Sequence, residues 1–156
     1  TRLRDEPYRI ESEYTDKRLY ILMASKNFIV PLAPFPFDVM ISLNQSNKDL
    51  DDNLKIYSRS INDDEVLKEL GTRKKYGGRT IKFIGGETIL RLNFMPQVND
   101  PFEMALLQHE IFHVIEFLLA DIEVPLNNHT SEIYAYMLQN LTSEVYKHLV
   151  NKQQHK

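Results

Sequence analysis

The segment from Asp100 to Ala120 constrains the fold of this chain more than any other stretch. Asp100-Pro101-Phe102-Glu103 is a helix start. Asp100 is suited to cap the first N–H groups, a proline fits the first helical position, and Glu103 stands three residues past the cap, where it can close a capping box. From Pro101 to about Ala120 apolar residues recur almost all round the helix, with Phe102, Leu106, Leu107, Ile111, Phe112, Val114, Ile115, Phe117 and Leu118 among them. That pattern predicts a helix buried on most sides. Asp121 to Thr130, with Pro125 and Asn127-Asn128, reads as a loop that reverses the chain. A second helix is expected from about Ser131 to Val150, packed antiparallel to the first.

Strands are expected to complete the layers around this helix pair. Ile81 to Ile84 and Glu87 to Phe94 flank Gly85-Gly86, a pair that tolerates the positive φ angles of a two-residue hairpin turn. Pairing across such a turn sets Phe83 opposite Thr88 and Ile81 opposite Leu90. One face then carries Ile81, Phe83, Leu90, Leu92 and Phe94, and the other Lys82, Glu87, Arg91 and Asn93, with Ile84 and Ile89 as exceptions. Phe37 to Leu43 reads as a strand, while Leu19 to Met23 and Phe28 to Val30 are apolar runs whose period does not separate helix from strand. Pro31, Pro34 and Pro36 mark an irregular connection, and Asn62 with Glu65 opens a short helix that Gly71 would close. The expected class is α+β: a small mixed or antiparallel sheet packed on the helix pair.

At 156 residues the chain is the length of one domain, so residues 1–156 are read as a single unit with one site. Residues 80–150 carry the legible elements, and residues 1–79 are the less defined part. Nineteen basic against twenty-two acidic residues give a net charge of −3, which argues against nucleic acid as a partner. Arg73-Lys74-Lys75 is too short a basic run to change that. Leu19 to Ala24 and Ile111 to Ala120 are too short or too interrupted to cross a bilayer, and the visible N-terminus has no signal-peptide core. The expectation is a soluble, cytoplasmic chain.

Polar residues inside the apolar helix need a reason. His109, Glu110 and His113 form the pattern H-E-x-x-H, whose histidines at i and i+4 share one helix face and can reach one metal ion. A single histidine in an apolar helix is usually a satisfied core residue, but two with a glutamate would cost several kcal/mol unless partnered. With no cysteine in the chain, thiolate sites are excluded and a metal would have to be held by imidazole and carboxylate, the ligands of a catalytic zinc. Such a zinc takes three protein ligands and keeps one open position. Eighteen residues separate His113 from Glu132, at the start of the second helix, where the reversed chain would return it toward the first. Glu132 is the first choice for third ligand; His129 follows, with Glu116, Asp121 and Glu123 behind.

His109-Glu110-Ile111-Phe112-His113 followed at this distance by Glu132-Ile133-Tyr134-Ala135-Tyr136 resembles the gluzincin branch of the zinc metallopeptidases, and more closely the short zincin-like proteins encoded by tailed bacteriophages and prophages. The resemblance covers about Thr80 to Leu149, a little under half the chain, and residues 1–79 contribute nothing to it. The glycine and third histidine that metzincins carry after this motif are missing. What the resemblance implies is a zincin-like fold, a Zn2+ cofactor on His109, His113 and Glu132, Glu110 as general base, and a peptide or protein substrate, in a bacterial host cytoplasm or a virion.

Glu110 would accept a proton from the attacking water and deliver it to the leaving amine. Tyr136, one turn beyond Glu132, is the first candidate for stabilising the oxyanion, ahead of Tyr134 and His129; helix packing explains these tyrosines equally well. Glu116 is either a hydrogen-bond partner of a ligand histidine or a solvated carboxylate, and His148 and His155 read as surface residues. A substrate peptide is expected to lie extended along an exposed strand edge of the hairpin. Two rivals remain: a non-catalytic zinc-binding structural or interaction protein of a phage particle, and a regulatory protease that cuts one specific protein.

Overall fold

A computed structural model describes residues 24–57, 77–83 and 87–150 of the chain. The elements in order are β1 (Lys26–Pro31), β2 (Asp38–Leu43), α1 (Asn47–Tyr57), β3 (Gly78–Lys82), β4 (Thr88–Leu92), α2 (Pro101–Asp121) and α3 (Ser131–Val150). The class is α+β. The four strands form one mixed sheet in the order β1-β2-β4-β3, antiparallel at its two outer pairs and parallel between β2 and β4. The apolar run at Phe28 is therefore the edge strand β1, and Phe37 to Leu43 gives β2. Leu19 to Met23 and the Asn62 to Gly71 segment lie outside the described residues.

The β3–β4 pair forms, but β3 starts at Gly78, three residues before the expected Ile81, and ends at Lys82, and the pairing is one residue out of the expected register. Lys82 stands opposite Thr88 and Ile81 opposite Ile89, and Phe83 N–H donates to Glu87 O at 2.8 Å. Residues 84–86 thus separate the last paired positions, and they too lie outside the described residues. Because side chains alternate along a strand, this shift moves Ile81 and Phe83 to the face opposite Leu90 and Leu92. Leu90 and Leu92 pack with Ile41 and Leu43 under the helix pair, whereas Ile81 and Phe83 join Ile89, Met40, Leu50 and Leu54. Leu50 and Leu54 belong to α1, which covers the second face of the sheet, so Ile89 is no exception: it is core.

Local sequence explains α1 as well. Ser46 Oγ accepts the N–H of Asp49 at 3.1 Å and donates to its Oδ2 at 2.8 Å, a capping pair in which Asp49 stands for the usual glutamate. Leu50 and Leu54, four apart, form its buried face, and the pairs Lys48–Asp52 and Lys55–Asp51 lie on its charged side.

Helix α2 starts as its sequence demands, with Asp100 Oδ1 accepting from Phe102 N and Glu103 N at 3.0 and 3.1 Å. Glu103 closes on a different donor from the one expected: its Oε2 accepts the N–H of Gln97 at 2.7 Å, pinning the approach to the helix. The helix is buried on one broad face and not on most sides. Leu107, Ile111, Val114, Ile115, Leu118 and Leu119 are in the core, while Phe102 is 61% and Phe112 38% exposed. Residues at i, i+3 and i+4 on the outward stripe include both histidines. Helix α3 packs antiparallel to α2, with the Gln108 amide and the Thr142 hydroxyl in contact at 3.2 Å near one end and Tyr134 Oη donating to Val124 O at 2.9 Å near the other. Among the described residues no helix is long and apolar enough to cross a membrane.

Candidate metal centre

One turn of helix separates His109 from His113, and their side chains converge on the outward face of α2. The two Nε2 atoms lie 3.1 Å apart, with ring planes nearly perpendicular at 82°. Glu116, three residues on, brings its Oε2 to 3.1 Å from His113 Nδ1. In the tautomer that gives Glu116 a donor, His113 carries its proton on Nδ1 and its Nε2 lone pair faces His109 Nε2. That is the tautomer a metal ligand needs. Two imidazole nitrogens bound at ~2.05 Å in a tetrahedral site stand about 3.3 Å apart. The observed spacing therefore fits zinc between the two nitrogens. Phe117 stacks on the His113 ring at 6.0 Å and helps fix its plane.

Glu110 lies ~100° round the helix from His109. That places it at the junction of α2 with β3, the outer strand of the sheet. Its side chain is buried, the residue being 8% exposed, and its Oε2 accepts the Thr80 hydroxyl proton at 2.7 Å. The same hydroxyl is 3.1 Å from the Glu110 carbonyl. Gly78 gives the carboxylate its room: a Cβ there would stand 2.7 Å from Glu110 Cγ and 2.9 Å from Oε1. Thr80 and Gly78 were not recognised from sequence, because the strand was expected to begin only at Ile81 and both residues precede it.

The remaining residues singled out from sequence do not join this pair. Among the described residues no cluster of three or more His, Asp or Glu side chains is close enough to share an ion. Glu132 is exposed in the first turn of α3. Tyr134, Met137, Leu141 and Val145 form the buried stripe of α3, and Glu132 precedes Tyr134 by two residues, ~200° away on the outward side. Tyr136, two residues after Tyr134, is on that outward side as well and is 55% exposed. Tyr134 is buried with its hydroxyl used on the loop carbonyl of Val124. His129 is exposed in the loop, its N–H donated to Asn127 Oδ1 at 2.8 Å. Asp121 pairs with Lys82 of β3, and Glu123 is exposed just past the end of α2. Glu116 is thus the partner of a histidine, and His148, exposed near the end of α3, stacks on Phe28 at 3.8 Å. His155 lies outside the described residues.

No protein-family model, curated protein or solved structure matches the chain.

Proposed function

We propose that the chain is a zinc-dependent hydrolase that cleaves peptide bonds, a zincin-like domain with His109 and His113 as metal ligands and Glu110 as general base. One observation carries it: two histidine Nε2 atoms 3.1 Å apart, one ring braced by Glu116, on the helix that also buries a carboxylate against the outer strand. Zinc, when bound, supplies the Lewis acidity that lowers the pKa of a water and polarises a carbonyl. The chain's own residues do the rest. Thr80 holds Oε2 of Glu110, which leaves Oε1 to take the proton from water and return it to the departing amide nitrogen. β3 is an outer strand of the sheet, and an extended peptide could align along it beside that carboxylate.

The reading rests on the two histidines and Glu110, with Glu132 as its testable third ligand. Zinc titration by calorimetry, with each site residue changed in turn, tests it. One zinc per chain is expected, with His109→Ala and His113→Ala each weakening it by about tenfold or more. A fall of similar size in Glu132→Ala would mean that the first turn of α3 turns toward α2 on loading. Wild-type affinity in both histidine variants would overturn the metal centre. A second reading, a non-catalytic metal-binding or interaction protein, is favoured by Glu110 itself, since a buried carboxylate bonded to Thr80 is also what ties α2 to β3.

A further inference from the structure

Beside the histidine pair lies a recess that shares only Glu116 with the metal centre. We infer that it is a binding site for a long basic side chain, arginine or lysine, presented by a peptide. Its role beside a scissile bond rests on the hydrolase reading, but its chemistry does not. The recess, about 390 Å³, opens between the end of α2, the loop after it and the first turns of α3. That volume is within the ~300–1,000 Å³ of small-ligand pockets. Phe112, Val124, Leu126 and Tyr134 give apolar walls suited to an aliphatic stem. Tyr134 has already donated its hydroxyl to Val124 O, so what it offers the recess is its ring.

Three features make the recess cation-selective. Glu116 and Glu123 both line it, and among the described residues no lysine, arginine or histidine does. The recess sits at the C-terminal end of α2, where the aligned peptide dipoles carry partial negative charge. The last turn of that helix contains no basic residue to offset it. Glu116 also ties the recess to the metal centre, since its Oε2 is on His113 Nδ1.

The test uses the full chain without zinc and three probes, the N-acetyl amides of arginine, leucine and glutamate, followed by methyl NMR. The arginine probe is expected to shift the methyls of Ala120, Val124 and Leu126 saturably and to bind more tightly than the other two. Glu123→Gln, exposed and outside the metal centre, is expected to weaken it by about threefold, the worth of a partly exposed ion pair. Equal binding of the leucine probe, shifts centred elsewhere, or an unchanged affinity in Glu123→Gln would each overturn the inference. The two claims fail separately. Arginine binding in a zinc-loaded chain that cuts no peptide would sink the hydrolase and leave this site standing, whereas cleavage by a chain that binds the arginine probe no better than the leucine probe would do the reverse.

Discussion

Thr80 decides how Glu110 is held. With the side chain buried and its Oε2 bonded at 2.7 Å, removing the hydroxyl leaves a buried carboxyl oxygen without that donor. Thr80→Val is therefore expected to cost ~1–3 kcal/mol in urea unfolding, and Thr80→Ser to restore most of it. A stability unchanged by Thr80→Val would show that the carboxylate is satisfied otherwise. His148 carries a pH dependence. Partial desolvation of the stacked ring and then repulsion from Lys26 push its pKa below the usual histidine value, with Glu144 acting against them. Between the folded value and the unfolded ~6.5 the unfolded chain binds more protons, so this contribution is complete above pH 6.5 and is lost as pH falls below it. His148→Phe, which keeps the stack and cannot titrate, is expected to lose less melting temperature than wild type between pH 7.5 and pH 5. Equal losses would assign the effect to other groups. The histidine pair was legible because i and i+4 is a rule within one helix; Thr80 was not, because its role depends on the packing of a strand.

Helix α3 shows how phase governs what a spacing can do. Eighteen residues after His113 were enough to return the chain, but the face that α3 turns inward is set by Tyr134, Met137, Leu141 and Val145. Glu132 is out of phase with them. Sequence gives the start and length of a helix far better than its rotation against a neighbour. Tyr134 also fixes the loop that joins the two helices. Tyr134→Phe removes its bond to Val124 O and is expected to cost ~0.5–1.5 kcal/mol while raising amide exchange in residues 122–130. Exchange unchanged there would mean the Asn127–Thr130 turn, where Thr130 N–H and His129 N–H both reach Asn127 Oδ1, holds the loop alone. The register of β3 and β4 was missed for a related reason: Gly85-Gly86 suggested a two-residue turn, while both faces of this sheet are covered and so tolerate apolar residues on either side.

At the scale of the molecule, the sheet lies between α1 on one face and the α2–α3 pair on the other, with β3 at its edge beside the buried carboxylate. The helix pair was readable from caps and periodicity, and the outer pair of strands in outline only. The α1 layer, which explains the apolar positions that looked misplaced, was not, because its capping pair used aspartate and its buried face only two leucines. This architecture leaves the outward stripe of α2 open, so that His109 and His113 are accessible while Glu110 is held between helix and sheet. The central claim is that this carboxylate moves a proton in peptide hydrolysis. Its most direct test is the rate at which zinc-loaded wild type and Glu110→Gln, at equal zinc content, cleave a mixed peptide library followed by mass spectrometry. Cleavage by wild type that falls ~100-fold or more in the variant is the result expected of a general base. Equal rates in the two proteins, or no cleavage by fully loaded wild type, would contradict the account.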